Sequence, residues 1–299
     1  MDKNRVKTYF NENYKILHGD ILNCFQEVPD NSVQLVFADP PYNIGKDFDG
    51  ISDNYDTDFY INWMKNWIDE INRVVTDNGS IYLMNSTQNL ANMDLICRKY
   101  FKIQSRIVWY YDSSGVQAKT KFGSSWEPIL HMTKDKNNYV FNSKDILVEA
   151  KTGSKRNLID YRKTPPQKYN TKKVPSNVWE FPRVRFKMEE YENHPTQKPY
   201  SLLERIILTS SNKGDLVLDP FSGSFTTGYT CKLNDRKFIG FEINQEYIKI
   251  GLRRLEIDSE FSKEELQKIK HRKTKNKSKK DHEDLFTPNL FSQSDHIQL

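Results

Sequence analysis

An acid, two prolines and a tyrosine close an apolar run at Asp39-Pro40-Pro41-Tyr42, within VQLVFADPPYNIGKDFDG. Proline has no backbone N–H to donate, and it biases the residue before it toward extended backbone. Asp39 and Pro40 are thereby held extended just past a sheet edge. Two acceptors, the Asp39 carboxylate and the Pro40 carbonyl, can then face one exocyclic amino group. The Tyr42 ring can lie against a flat heteroaromatic base. These residues read as a clamp for an NH2 group on a planar ring. A proline-rich strand-to-loop turn with an incidental acid is the plainer alternative.

A second constellation is DPFSGSFTTG at 219–228. A strand ends at Leu218, Asp219-Pro220 breaks it, and Gly223 and Gly228 allow the backbone to come close to a ligand before a helix begins. It is neither GxGxxG nor a phosphate-cradling loop ending in GK[ST], and an ordinary tight βα turn is the alternative. Glu242 ends KFIGFEIN about 20 residues later, where an acid accepts hydrogen bonds from ribose hydroxyls in dinucleotide folds. An acid without a phosphate-type glycine pattern suits a nucleoside lacking phosphates.

Alternating elements must position these residues. Strand-like runs (YKILHGD, VQLVFADP, SIYLMN, IQSRIVWYY, EPILHMT, DLVLDPF, KFIGFEIN) alternate with stretches of helical spacing, such as FYINWMKNWIDEINRVV, PYSLLERIILTSSN and QEYIKIGLRRLEI. TDNGS reads as the turn between the first of these helices and SIYLMN. Such alternation predicts an α/β fold with a mostly parallel sheet, whose ligands bind at the carboxyl ends of its strands. Residues 112–193 break the pattern with Lys, Arg, Pro, Ser and Tyr, and the chain from 258 to 299 reads as a charged, solvated tail. The 299 residues carry 17 Phe, 16 Tyr and 5 Trp, enough for a substantial core, and a formal charge of +5 that is compatible with a polyanion partner. Three scattered cysteines form no disulfide framework or CxxC metal site, and no metal is expected. The polar start and the lack of a long apolar run predict neither signal peptide nor membrane span, and hence a cytoplasmic protein.

DPPY after a strand, with DPFSGSFTTG downstream and a long irregular region between, resembles the β group of S-adenosylmethionine-dependent DNA amino-methyltransferases. HPTQKP (194–199) resembles the element preceding the cofactor turn, and HGD (18–20) the strand end that holds the cofactor adenine. Together with SRIVWYYDSSGVQAK, VEAKTGSKR and ENHPTQKP, these motifs resemble the YhdJ-type N6-adenine enzymes of bacteria over residues 14–257.

The resemblance implies a permuted Rossmann-like methyltransferase fold, with helices on both sheet faces. The methyltransferase domain would span 1–257, with a target-recognition region at about 112–193. Asp39, Pro40, Pro41 and Tyr42 would carry catalysis on a base flipped out of double-stranded DNA. Asp20 and Ile21 would hold the cofactor adenine, and Glu242 the ribose. Asp219, Phe221, Ser222 and Gly223 would line the ribose and methionine, with Lys198 facing the methionine carboxylate. Phe37 is expected in the core. Lys119, Lys121, Lys155, Arg156, Arg162, Lys163, Arg183 and Arg185, interleaved with Tyr161, Tyr169, Trp179 and Phe181, would meet DNA, and the basic stretch 270–280 would add salt-sensitive affinity. A homodimer fits a palindromic target, and a cognate restriction enzyme is a further partner the resemblance allows. Cytosine N4 remains an alternative target. An RNA or protein methyltransferase is opposed by the motif order, and a DNA-binding protein without catalysis by the intact motifs.

Overall fold

The computed structural model describes residues 6–45, 47–48, 51–111, 120, 122–150 and 158–268. Its main sheet has nine strands: β1 (Lys7–Phe10), β2 (Tyr14–His18), β3 (Val33–Ala38), β4 (Val75–Met84), β5 (Lys102–Tyr110), β6 (Trp126–Thr133), β7 (Val178–Glu180), β8 (Leu216–Asp219) and β9 (Lys237–Glu242). Their spatial order is β1-β2-β9-β8-β3-β4-β6-β5-β7. From β2 to β4 every neighbouring pair is parallel. β1 is an antiparallel edge, β6 runs antiparallel to both β4 and β5, and β7 returns parallel to β5. The late strands β8 and β9 thus sit between the early strands β2 and β3. This is the mixed, mostly parallel permuted sheet that the motif order implied.

Helices cover both faces. Side chains of α1 (Ile21–Phe25), α2 (Thr57–Val74) and α3 (Leu90–Cys97) share one core with Leu17, Val36, Ala38, Leu218 and Phe241. Side chains of α4 (Tyr200–Ser210), α5 (Thr226–Leu233) and α6 (Gln245–Leu255) share the other with Ile16, Leu35, Phe37, Val217 and Phe238. Neighbours in the same strand go to opposite cores, as a period of two requires. All six residues of β3 are buried, and all but Gln34 are apolar, as in a strand covered on both faces.

α2 shows how sequence builds this. The Asp56 carboxylate caps it, accepting the amides of Asp58 and Phe59 at 2.9 and 3.2 Å. Tyr60, Met64, Trp67, Ile68, Ile71 and Val74 recur at helical spacing and are all buried. Each large side chain so buried contributes about 1.5–3 kcal/mol.

Two expectations are corrected. TDNGS is not a turn outside the sheet: β4 begins at Val75 directly after α2, and the pairing with β3 jumps from Val33–Val75 to Leu35–Ser80. The extra residues bulge out within the strand, and the Gln34 amide holds the Asn78 carbonyl at 3.1 Å. The chain just beyond 258 is not solvated tail either. Glu260 pairs with Lys7, Phe261 lies under the Lys249 ammonium at 5.0 Å, and helix α7 (Lys263–Lys268) places Leu266 against the second core. The basic stretch 270–280 lies outside the described residues.

Candidate active site

Parallel order brings the acidic strand ends to one rim. Asp39 follows β3, Asp219 ends β8, Glu242 ends β9, and Asp20 stands two residues past β2. β6 is antiparallel, so its first residues, not its last, reach this rim, and they lie opposite the carboxyl end of β5.

Around β8 and β9 the acids are held by their own loops. Asp219 accepts the Phe221 amide at 3.0 Å and the Thr227 hydroxyl at 2.5 Å, which shapes the turn into α5. Glu242 accepts the amide of Gly223 at 2.9 Å and those of Ile243 and Asn244 at 2.9 and 2.8 Å. Burial pushes both carboxyls up to about 7 against these donors. Gly223 has φ +47°, and a Cβ there would lie 2.7 Å from the His194 ring. The His194 ring stands edge-on to Tyr247, 4.5 Å between centroids, and burial holds its pKa down at about 3. Ser222 is buried, donating to the Asp219 carbonyl at 2.8 Å. Phe221 meets Trp63 and Trp67 edge-on at 5.7 and 5.3 Å. Asp20 caps α1 through the Leu22 amide at 2.9 Å, and Ile21 is buried in the first core.

A nucleoside-type cofactor fits this set. Glu242 offers carboxylate oxygens where sugar hydroxyls would donate. Gly223 keeps the turn free of a side chain, and Phe221 with Trp63 supplies partly buried aromatic surface for a base. Nothing in the turn is arranged to neutralise a phosphate.

Around β3 the clamp is built differently. The Asp39 carboxylate is met by side-chain donors: the ammonium of the distant Lys198 sits on Oδ2, and the hydroxyl of Tyr42, in the same loop, donates to Oδ1 at 2.6 Å. Lys198 was expected to face a methionine carboxylate. The structure places it on Asp39, the anion that its buried ammonium requires. Burial and the nearby Glu127 raise the Asp39 pKa, and Lys198 opposes them. Burial works against the Lys198 charge, but Asp39 and Glu127 raise its pKa on balance.

The loop's carbonyls are sorted. The Tyr60 hydroxyl donates to Pro41 at 2.7 Å and the Asn89 amide to Tyr42 at 2.7 Å, while Asn85 joins both donors at 2.9 Å. Among the described residues nothing donates to the Pro40 carbonyl. The two acceptors read from the sequence are therefore present, one exchangeable and one open. Phe37 is buried as expected.

Sequence reasoning missed Tyr60, Asn85 and Asn89. Asn85 follows β4 as Asp39 follows β3, which was the available signal. It also missed Glu127, whose Oε2 accepts the Tyr42 hydroxyl at 3.0 Å and whose Oε1 accepts that of Tyr111 at 3.1 Å. Glu127 opens a strand instead of closing one, so a search of strand ends passes over it.

Of the aromatic residues expected to meet DNA, Trp179 and Phe181 are committed to the body. Trp179 lies on β7 in the second core, and the Arg205 guanidinium covers both rings at 5.2 and 4.5 Å. Tyr161 is 77% exposed. Arg162 pairs with Asp160 at 2.8 Å, and Arg183 reaches Glu127 at 3.5 Å. Lys119, Lys121, Lys155 and Arg156 lie outside the described residues. Cys24 and Cys97 are buried and their thiols pushed up to about 12, so neither is a ready nucleophile.

Comparison with known proteins agrees with this geometry. The model of the N6/N4 DNA methylase family matches residues 33–253. The DNA adenine methyltransferase YhdJ of Escherichia coli is 60% identical over 94% of this chain and 96% of its own length. The type II methyltransferase M.HpaI of Haemophilus parainfluenzae is 35% identical over 83% of this chain and 75% of its own. The structure of the PvuII cytosine-N4-specific DNA methyltransferase superposes with a TM-score of 0.66 at 18% identity, covering 88% of this chain and 93% of that one. The M1.HpyAVI–SAM complex does so with a TM-score of 0.54 at 23% identity, covering 81% and 99%. At these identities the two structures speak to the fold.

Proposed function

The chain belongs to the N6/N4 DNA methylase family and uses S-adenosylmethionine to methylate DNA, and we propose that its target is adenine N6 in a base flipped out of the duplex. The observation that carries the amino-group chemistry is the pairing of Asp39 with an unpartnered Pro40 carbonyl on a loop whose next two carbonyls are tied down. Adenine over cytosine is supported by Asp at position 39 and by the 60% identity to an adenine methyltransferase.

S-adenosylmethionine, when bound, supplies a methyl group activated on a sulfonium and leaves as a neutral thioether. Glu242 would hold its ribose, and Asp219, Phe221, Ser222 and Gly223 would line its methionine and ribose side. Asp20 and Ile21 stand at the neighbouring strand end for its adenine. Adenine N6 is a poor nucleophile because its lone pair is delocalised into the ring. Asp39 and the Pro40 carbonyl accept its two hydrogens and localise that pair on nitrogen. As the N–C bond forms, Asp39 stabilises the developing positive charge and accepts the proton that N6 must lose. Such placed charge is worth about 3–4 kcal/mol. Tyr42 supplies the stacking face. Lys198, on Asp39 Oδ2, opposes the burial that favours the protonated acid.

The target-recognition region of about 112–193 is proposed to contact DNA, within a methyltransferase body that continues through α7. A homodimer on a palindromic site and a cognate restriction enzyme are proposed partners. Sedimentation of the DNA complex and protection of methylated DNA from cleavage test them.

The deciding experiment is transfer of label from S-adenosylmethionine to unmethylated genomic DNA, with Asp39→Ala alongside and nucleoside analysis of the product. N6-methyladenine from the native protein and none from the variant is expected. N4-methylcytosine would keep the clamp and overturn the base.

A further inference from the structure

The Tyr42 hydroxyl has one hydrogen and two carboxylates to give it to, Asp39 Oδ1 at 2.6 Å and Glu127 Oε2 at 3.0 Å. It can serve only one at a time. Asp39 Oδ2 already carries the Lys198 ammonium. Oδ1 is therefore the less encumbered oxygen for an incoming N6–H, and its full acceptor strength is available to the base only when Tyr42 donates elsewhere. Glu127 is where it points. We propose that Glu127 is a positioning residue for methyl transfer: it takes the Tyr42 hydroxyl off Asp39, so that Oδ1 is open to the amino group of the target base. This rests on the amino-methyltransferase reading above.

Glu127 is built for the task. Its side chain is 13% exposed at the start of β6. Its other oxygen, Oε1, is held by the Tyr111 hydroxyl at 3.1 Å and reached by Arg183 at 3.5 Å. The Arg183 guanidinium lies over the Tyr111 ring at 4.2 Å. Tyr111 follows β5 and Arg183 follows β7, so three strand ends on the far side of the clamp converge on one carboxylate. These donors fix Oε1 and leave Oε2 turned toward Tyr42. The same hydroxyl swing leaves the Tyr42 ring in place for stacking, because only the O–H rotates.

The test is a double-mutant cycle of Glu127→Gln and Tyr42→Phe. Turnover is measured on unmethylated genomic DNA at saturating S-adenosylmethionine, and cofactor affinity by calorimetry. Glu127→Gln is expected to lower kcat about tenfold or more in the native background, with cofactor affinity within about twofold. With Phe at 42 there is no hydroxyl to divert, and the same substitution is expected to cost less than about twofold. Equal losses in both backgrounds overturn the proposal, as does a native-like kcat for Glu127→Gln. A structural role alone would produce equal losses. Should Glu127→Gln fail to bind cofactor, Tyr111→Phe replaces it in the cycle, since it removes one oxygen that holds Glu127. Its loss of kcat is expected only where Tyr42 keeps its hydroxyl, and a loss indifferent to residue 42 overturns the proposal equally. Failure of the native protein to methylate DNA would instead sink the amino-methyltransferase reading.

Discussion

The acids after β8 and β9 and the acid after β3 share one rim but are held in opposite ways. Among the described residues, Glu242 is met only by backbone amides of its own and the adjacent loop, and Asp219 by a backbone amide and a hydroxyl of its own turn. Asp39 is met by the tips of long side chains, Lys198 and Tyr42, and Lys198 lies 159 positions away. Backbone donors cannot leave without unmaking the fold. The Tyr42 hydroxyl can rotate away at little cost, while the buried Lys198 ammonium stays on the other oxygen. The cofactor half is thus fixed before anything binds, while the base half exchanges partners when its substrate enters. Preorganisation suits a ligand that must be presented in one pose, and exchange suits a base arriving from a duplex.

The largest test of this contrast is Asp39→Ala. It is expected to lower single-turnover methylation about 10²- to 10³-fold, the scale of one lost electrostatic contact in a closed site. Cofactor affinity, measured by calorimetry, should stay within about threefold, because none of the hydrogen bonds that shape the β8–β9 cradle involves Asp39. Because Ala leaves the Lys198 ammonium buried and unpaired, Asp39→Asn is run alongside. Cofactor binding lost in both variants would show that the halves are not separable.

Gly223→Ala probes the other half. At φ +47° the new methyl group is strained and lies 2.7 Å from His194, which is itself packed on Tyr247. Cofactor affinity is expected to fall about tenfold or more, and stability by about 1–2 kcal/mol. Turnover at saturating cofactor should suffer less. A kcat loss without an affinity loss would reverse the assignment of the two halves.

What the sequence showed, and what it hid, follows the same divide. Asp39, Asp219 and Glu242 were found because a parallel sheet puts strand ends to use, and each stands where an apolar run stops. The Glu242–Gly223 contact was foreshadowed by their spacing. Glu127 was hidden because β6 is antiparallel, and direction within a sheet is not written in a strand's composition. Tyr60 was hidden because it sits among the apolar positions of α2, where an aromatic residue reads as core. Trp179 misled in the opposite sense: amid basic residues it reads as a DNA contact, yet three residues of β7 suffice to bury it against the sheet. β1 was missed because its pattern, with Tyr9 alone buried, is that of an edge strand with little to bury.

Titration sharpens the comparison further. Glu242 has its pKa raised from 4.5 to about 7 by burial, so the folded protein keeps the proton longer than the unfolded chain does. That contribution to stability is complete below the unfolded value and is lost as pH rises through 7. Asp219, raised from 3.8 to about 7, acts in the same direction. Urea melts of the cofactor-free protein are expected to lose about 1–2 kcal/mol between roughly pH 5.5 and 7.5 for each such group. In Glu242→Gln the slope should be visibly shallower, and an unchanged slope would mean that the carboxylate is already ionised below pH 6. Asp94, Asp160 and Glu260 have lowered pKa values through partners such as Arg106, Arg162 and Lys7. Their contribution is lost only as pH falls through their own lower range, so it does not mask the window near 7.

The smallest effect asks whether the base half is soft throughout or only at its acid. Tyr60→Phe removes the donor to the Pro41 carbonyl and the acceptor of the Asn85 amide, and leaves the ring in the core. The cost to stability should be about 1 kcal/mol, that of a net buried hydrogen bond with a partner left behind. Turnover should fall a few-fold, roughly two- to fivefold, because a loop freed at Pro41 no longer fixes where the Pro40 carbonyl points. Cofactor affinity should not move. If turnover is untouched, the prolines alone hold the carbonyl, and the rigidity of the clamp lies in its backbone, as it does in the cofactor half. If turnover falls while stability does not, the Tyr60–Asn85–Asn89 network serves the direction of one carbonyl more than it serves the fold. The exchangeable acid would then stand on a frame as fixed as the cradle beside it.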